Sequence, residues 1–143
     1  LFDAGYRYDS GKAEILRVGK DVALFATGTM VSLALEAADQ LKKESVDACV
    51  VDVHTIKPLD TDTINKIARQ CGSAVSIEEH SIIGGLGSAI AECIVREYPV
   101  PMHILGVGDT FGQSGEYDEL LEQYGLTTKN IVDSAKRIMK VQK

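Results

Sequence analysis

The sequence has 143 residues, of which 45% are hydrophobic and 25% are charged; this balance is typical of one folded globular domain and excludes a disordered chain. Its 21 acidic residues outnumber its 15 Lys and Arg residues, so the net charge is −6, which disfavours binding to nucleic acid or to an anionic membrane surface. No apolar stretch reaches the roughly 18 residues of a membrane-spanning helix. Three widely spaced cysteines favour reduced thiols in a cytoplasmic protein: Cys49, Cys71 and Cys93.

The N-terminal half alternates between predicted strands and a predicted helix. The segments 13–17 and 22–26 predict two short strands joined by a turn. Apolar residues then recur at helical spacing from 31 to 41, which predicts a helix that opens at 27–29. The run at 46–53 is nearly continuously apolar, as is typical of a parallel strand that is covered on both faces.

The remaining chain repeats the same alternation. Asp60 or Thr61 is expected to cap a helix that Gly72 ends. Further apolar runs at 74–77 and 102–105 predict two more strands. Three further helices are expected: from Ser88 to about Tyr98, around Tyr117 to Tyr124, and from a cap at Thr127 or Thr128. Repeated strand–helix units predict a three-layer α/β domain with a mostly parallel sheet.

Ligands and interfaces in such sheets gather beyond the carboxyl ends of the strands. The segments 27–30, 54–60 and 78–87 are expected there, with the glycine-rich loop 106–115 beside them. We therefore expect any functional site of this domain at that edge of the sheet.

Glu78, Glu79 and His80 form the most polar cluster at any predicted strand end. Two carboxylates and an imidazole could transfer protons. Adjacent residues of an extended chain point to opposite sides, however, so the two carboxylates cannot both face one cleft without a bend. A buried hydrogen-bond network that holds the loop, or a polar subunit interface, is the favoured interpretation.

A glycine-rich segment follows this cluster and opens a predicted helix. Gly84, Gly85, Gly87 and Ser88 could offer free N–H groups to an anion. The segment lacks the third small residue of a dinucleotide-binding fingerprint, because that position is Ile90. The favoured interpretation is structural: glycines permit a tight turn with positive φ and a close approach of the helix to its neighbour.

Other catalytic patterns are missing from the sequence. The three histidines and three cysteines have no zinc-ligand spacing, and no nucleophile elbow or phosphate-binding loop motif is present. Composition and pattern thus predict an α/β domain with a polar, glycine-rich edge, and they do not identify a reaction.

Four ordered segments give the sequence a family resemblance: 19–31, 51–60, 76–89 and 108–131. Together they resemble the C-terminal domain of the transketolase family, and most of all the C-terminal section of two-subunit bacterial and archaeal transketolases. The resemblance covers almost the whole chain. It implies a three-layer α/β/α sandwich with a mostly parallel, mixed sheet of about five strands, forming a single domain over residues 1–143.

The resemblance also implies what lies outside this chain. In the full enzyme, thiamine diphosphate and Mg²⁺ sit between two other domains, and a two-carbon ketol unit moves between sugar phosphates. This chain is expected to hold no cofactor, metal or catalytic residue and to be inactive alone. Residues 1–12 are expected to be a linker from a missing pyrimidine-binding domain.

The implied role of this domain is structural, in dimerisation, with a regulatory ligand as an additional role. The expected partners are the N-terminal, pyrimidine-binding part of the enzyme and a second copy in a homodimer. Glu79 and His80 are the polar candidates for a part in the chemistry. The candidates for an interface or regulatory role are Glu78, Glu79, His80, Gly84, Gly85, Gly87 and Ser88.

Alternatives remain open at this point. Deoxyxylulose-phosphate synthase and the beta subunit of 2-oxo acid dehydrogenases share the same C-terminal domain. The dehydrogenase subunits usually carry a Trp soon after the paired acids, and this sequence has no Trp. An autonomous module that binds an anionic effector at 84–88 is the alternative of another class.

Overall fold

The structure is a computed structural model, and it describes residues 5–141. The strands are β1 (Glu14–Arg17), β2 (Val22–Ala26), β3 (Ala48–Asp52), β4 (Ala74–Ser81) and β5 (Met102–Val107). The helices are α1 (Met30–Lys43), α2 (Thr61–Cys71), α3 (Leu86–Glu97), α4 (Tyr117–Gln123) and α5 (Thr128–Met139).

The strands form one mixed sheet in the order β1-β3-β2-β4-β5. Strands β3, β2, β4 and β5 are parallel, whereas β1 runs antiparallel to β3 at one edge. The predicted mostly parallel, mixed sheet of five strands is therefore confirmed. Because β1 is antiparallel, its first residue, Glu14, pairs with Asp52, the last residue of β3.

Helices cover both faces of the sheet, which confirms the three-layer prediction. Side chains alternate along a strand, and β2 shows the consequence. Val22, Leu24 and Ala26 pack in a core with α1 and α5, whereas Ala23 and Phe25 pack in a second core with α2 and α3. All five residues are fully buried, so β2 is the centre of the domain.

Helix boundaries follow the predicted capping residues at three places. Asp60 accepts a hydrogen bond from the backbone N–H of Thr63 at the start of α2, and Gly72 ends that helix with a positive φ of 69°. Thr127 accepts from the N–H of Asn130 at the start of α5. These caps satisfy backbone groups that the first and last helical turns leave without partners.

Two boundaries differ from the sequence prediction. Strand β4 continues through Glu78, Glu79 and His80 to Ser81, which pairs with Val107 of β5. Helix α3 begins at Leu86, two residues before the predicted Ser88. Both differences come from hydrogen-bond partners that the local sequence does not reveal. Strand β5 pairs with the extended end of β4, and the Glu78 carboxylate binds the N–H groups of Leu86 and Gly87 at the start of α3.

The segment before β1 lies against the loop after β3. The N–H of Gly11 and the hydroxyl of Tyr8 are 3.2 Å and 3.0 Å from the Thr55 hydroxyl, and the N–H of Ala13 donates to the Asp60 carboxylate. The proposed linker, 1–12, falls partly outside the described residues and stays a prediction. In the part of the chain that the structure describes, no helix has both the length and the apolar character to span a membrane.

Candidate functional site

A cleft of about 580 Å³ opens at the carboxyl ends of β2 and β4. Helix α1 follows β2 on one face of the sheet and α3 follows β4 on the other, so the chain diverges here, as at the ligand-binding crevices of open α/β sheets. The expected meeting of the segments 27–30, 54–60 and 78–87 is confirmed. The cleft is lined by Thr27, Gly28, Thr29, Ile56, Glu78, Glu79, His80, Gly84 and Gly85.

The Glu78 carboxylate lies at the base of this cleft. Its side chain is only 1% exposed, and its two oxygens accept hydrogen bonds of 2.7 Å and 2.8 Å from the backbone N–H groups of Leu86 and Gly87. A carboxylate there satisfies two free donors and interacts favourably with the positive end of the helix dipole. Glu78 thus fixes the start of α3 onto the end of β4, as the predicted buried network requires.

Glu79 points the other way and joins three elements at the surface. One of its oxygens accepts hydrogen bonds from the Thr29 hydroxyl, 2.6 Å away, and from the Tyr117 hydroxyl, 2.9 Å away. Thr29 precedes α1 and Tyr117 begins α4. The carboxylate therefore holds the ends of β4, α1 and α4 together at the rim of the cleft.

His80 is exposed at the same rim. Its Nδ1 lies 3.5 Å from the carbonyl oxygen of Ser81, at the outer limit of a hydrogen bond. Ile56 and Gly84 line the same cleft as His80. The imidazole is thus available to a partner or a ligand, whereas the Glu78 carboxylate is already occupied.

The glycine-rich segment has the close contacts that its composition predicted. Gly84 has a φ of +78°, which is the left-handed region that glycine tolerates best. A Cβ at Gly85 would collide with the Glu78 carboxylate, and a Cβ at Gly87 would collide with Ile104 and approach Ser76 Oγ to 2.8 Å. The Ser88 hydroxyl accepts from the N–H of Gly84 and closes the turn.

The electrostatics of the cleft disfavour a phosphate group. The N–H groups of Leu86 and Gly87, which an anion would approach, already bind Glu78. Among residues 5–141, the side chains that line the cleft include two carboxylates and no Lys or Arg. An added anion would therefore face like charge without a compensating cation.

The three cysteine side chains are buried, and none of them forms a disulfide. A hydrogen bond to Cys71 lowers the pKa of the Cys49 thiol, while the same contact and burial raise the pKa of Cys71. Both thiols lie on the α2 side of the sheet, near Gly19. Within residues 5–141, no group of three or more His, Cys, Asp or Glu side chains is arranged to hold a metal ion.

Sequence reasoning missed two partners of the site and one buried acid. Thr29 and Tyr117 are 50 and 38 positions from Glu79, and no local pattern connects them. Asp52 is the last residue of β3 and is buried, and its Oδ1 has no hydrogen-bond partner among the described residues. Burial, together with the nearby Glu14 carboxylate, raises the pKa of Asp52 although His54 opposes the shift.

Comparison with known proteins identifies the family. The model of the family described as "Transketolase, C-terminal domain" matches residues 11–131. The 6-deoxy-6-sulfo-D-fructose transketolase subunit of Clostridium sp. strain MSTE9 is 47% identical over 128 residues, which are 90% of this chain and 40% of that protein. The 1-deoxy-D-xylulose-5-phosphate synthase of Heliobacterium modesticaldum is 42% identical over 129 residues, 90% of this chain and 20% of that enzyme.

A solved structure agrees with these relatives. It is described as a split gene transketolase, an inactive beta4 tetramer, and it superposes with a TM-score of 0.95 at 42% identity, covering 99% of this chain and 46% of its own. The present chain thus spans less than half of the length of the proteins that it matches. Over nearly its whole length, however, both sequence and fold agree with one family, and the chain belongs to the transketolase C-terminal domain family.

Proposed function

We propose that this chain is the C-terminal part of a thiamine-diphosphate-dependent transketolase, which moves a two-carbon ketol unit from a ketose phosphate to an aldose phosphate. The observation that carries the proposal is the agreement over 90% of the chain with a transketolase subunit at 47% identity. At that level of identity the fold and the place of the domain in its enzyme are expected to be shared.

The cofactor belongs to the rest of the enzyme in this proposal. Thiamine diphosphate needs a cation or free backbone donors for its diphosphate. In this chain Glu78 occupies the donors at the start of α3, and Glu79 adds a second carboxylate at the cleft. These residues do not fit the diphosphate, and no chemical step is assigned to them.

The role proposed for this domain is to complete an assembly and not to catalyse alone. Its candidate interface residues surround the cleft, where Glu79 and His80 are exposed and Gly84, Gly85, Gly87 and Ser88 shape the turn beside them. The partners are the N-terminal, pyrimidine-binding part of the enzyme and a second copy in a homodimer. A beta4 tetramer, as named for the similar structure, can be built from two such dimers.

A cytoplasmic location completes the proposal. Cys49, Cys71 and Cys93 are buried and form no disulfide, which suits a reducing compartment. A pathway that exchanges carbon between sugar phosphates, such as the pentose phosphate pathway, is the setting that the proposed reaction implies.

Three other functions remain as competitors. The relative from Heliobacterium modesticaldum supports deoxyxylulose-phosphate synthase, which shares this domain; a 2-oxo acid dehydrogenase beta subunit is a weaker competitor because the chain lacks Trp. The cleft of about 580 Å³ supports an autonomous effector-binding module. Its two carboxylates favour a neutral or cationic effector over a phosphate.

The test is an activity assay on the assembled protein with thiamine diphosphate and Mg²⁺ added. Ketol transfer from xylulose 5-phosphate to ribose 5-phosphate is expected. A second arm offers 6-deoxy-6-sulfofructose as donor, the compound named for the clostridial relative, and a third offers pyruvate with glyceraldehyde 3-phosphate. Turnover in the third arm alone would replace the proposal by the synthase.

A further inference from the structure

Two cysteine side chains meet in the core on the α2 side of the sheet. Cys49 lies in β3, and Cys71 is the last residue of α2. Their thiols are joined by a hydrogen bond, and their exposures are 0% and 4%. Because the fold places the two sulfur atoms side by side, a disulfide between them needs only the removal of two electrons and two protons.

The backbone of Gly19 binds both sulfur atoms. The Cys71 thiol donates to its carbonyl oxygen, 3.8 Å away, and its N–H group donates to Cys49. The sulfur of Cys49 therefore accepts from two donors, which favour its thiolate form and lower its pKa, whereas burial and the shared hydrogen bond raise the pKa of Cys71. Since the thiolate is the nucleophile in thiol chemistry, Cys49 is the more nucleophilic of the two.

The two thiols lie directly beneath the turn between β1 and β2. Gly19 is buried in this turn, and its neighbours Val18 and Lys20 are exposed. On the other side, Cys71 is followed by Gly72, which ends α2. Turns and helix ends open locally at a lower free energy than the centre of a sheet, so a small oxidant has a route to the sulfur atoms through this turn.

We propose that Cys49 and Cys71 form a redox-modification site, at which a peroxide converts the two neighbouring thiols reversibly into one disulfide. The inference is independent of the proposed function, because it concerns only side chains of this chain. It agrees with a reducing compartment, in which protein disulfides are usually transient and often redox-sensing.

The reaction has two steps, with hydrogen peroxide as the oxidant. In the first step the Cys49 thiolate attacks one peroxide oxygen; an S–O bond forms, the O–O bond breaks, and the product is the sulfenic acid of Cys49. The departing hydroxide takes up the proton that the Cys49 thiol released and becomes water. In the second step the sulfur of Cys71 attacks the sulfenic sulfur; the S–S bond forms, the S–O bond breaks, and the oxygen leaves as water with the proton of Cys71. Two thiols lose two electrons, and one peroxide is reduced to two water molecules.

The contact with Cys71 decides the fate of the sulfenic acid. A sulfenic acid that no thiol traps is oxidised further to sulfinic acid, which is not reduced again by thiols. Cys93 is the comparison within the same chain, because its sulfur accepts from the Asn65 amide at 3.3 Å and lies 3.9 Å from the carbonyl oxygen of Thr61. We therefore expect a disulfide between Cys49 and Cys71 and none that includes Cys93.

The test treats the reduced protein, in its assembled form, with a small molar excess of hydrogen peroxide. The remaining thiols are then blocked with N-ethylmaleimide in denaturant, and the protein is digested without reductant by trypsin and a glutamate-specific protease. Cleavage after Glu78 or Glu79 is needed because no Lys or Arg separates Cys71 from Cys93. Mass spectrometry of the peptides then shows which cysteines are linked.

The inference predicts a disulfide between Cys49 and Cys71 at a yield about tenfold above that of any other cysteine pair, and its disappearance with dithiothreitol. Complete alkylation of both thiols, after a peroxide treatment that oxidises glutathione in a parallel solution, would overturn it. Disulfides that link either thiol to Cys93 or to a second copy of the chain, in equal or higher yield, would also overturn it.

A variant tests the role of the second thiol. Cys71→Ser removes that thiol and keeps a hydroxyl that can donate to Gly19, so sulfinic acid at Cys49 should rise about tenfold over the unchanged protein. Cys93→Ser is the matched control and should leave the yield of the disulfide unchanged. Equal sulfinic acid at Cys49 in the two variants would contradict the role of Cys71. The peptide measurement on the unchanged protein decides the inference even if a variant fails to fold.

Discussion

Glu78 and Glu79 are adjacent in β4, yet their carboxylates lie in opposite environments. The Glu78 carboxylate is buried against the N–H groups of Leu86 and Gly87, whereas the Glu79 carboxylate is exposed and accepts from two hydroxyl groups. The alternation of side chains along a strand produces this division. One carboxylate stabilises the fold of the cleft, and the other remains at its surface.

The first prediction concerns the buried carboxylate. Glu78→Gln replaces one accepting oxygen by an NH₂ group that faces a backbone N–H, and hydrogen bonds to a charged group contribute about 1.5–3 kcal/mol. We expect the free energy of unfolding to fall by about 2–3 kcal/mol in urea denaturation. Glu79→Gln is the control, and its exposed position predicts a loss below about 1 kcal/mol. Equal losses of unfolding free energy in the two variants would contradict the assignment of a structural role to Glu78 and a surface role to Glu79.

The second prediction concerns the space beside Glu78. In Gly85→Ala the new methyl group would meet the Glu78 carboxylate and lie 2.9 Å from the carbonyl oxygen of Ser81, and overpacking of this kind costs about 1–3 kcal/mol. Gly112→Ala is the matched control, because no atom lies within 4 Å of its added Cβ. The double variant with Glu78→Gln should be less destabilised than the sum of its single changes, since both disturb one contact.

The third prediction follows from the raised pKa of Asp52. A carboxyl whose pKa is higher in the folded state stabilises the fold below the unfolded pKa of about 3.9, and that contribution is lost as the pH rises through the folded pKa. Asp52→Asn keeps the neutral shape at every pH. Its free energy of unfolding should therefore exceed that of the unchanged chain near pH 7, and the excess should shrink toward pH 4.

Urea denaturation at several pH values measures this difference. The control is Asp133→Asn, because Asp133 is exposed on α5. An Asp52→Asn variant that is less stable than the unchanged chain at pH 7 would show that the ionised carboxylate has a partner in the folded protein.

The fourth prediction separates an interface role of His80 from a chemical one. His80→Ala should raise the concentration of the preceding part of the enzyme that gives half-maximal ketol transfer by about 5- to 30-fold, because the imidazole is exposed at the rim of the cleft and a contact of about 1–2 kcal/mol is lost. The turnover number at saturation should be unchanged. A lower turnover number with unchanged assembly would instead assign His80 to the chemistry.

Much of the fold could be predicted from local patterns. The apolar periodicity of residues 31–41 and the caps at Asp60, Gly72 and Thr127 are short-range signals, and the helices that they predict are present. The early start of α3 could not be predicted, because the N–H of Leu86 is bound by the Glu78 carboxylate, which lies eight positions earlier on β4.

The location of the site could be predicted from the sequence, but the hydrogen bonds within it could not. The segments at the carboxyl ends of the strands carry recognisable polar and glycine-rich residues, so their meeting followed from the parallel sheet. The hydrogen bonds of Glu79 to Thr29 and Tyr117 depend on the packing of α1 and α4, which no short segment encodes. The direction of β1, which brings Tyr8 beside Thr55, is likewise a property of the whole sheet.

Ketol transfer by the preceding part of the enzyme, measured with and without this chain at saturating thiamine diphosphate and Mg²⁺, tests the proposed role of the domain. We expect transfer from xylulose 5-phosphate to ribose 5-phosphate only when both are present, with a rate that saturates as this chain is added. Full transfer without this chain, or transfer by this chain alone, would contradict the proposed role.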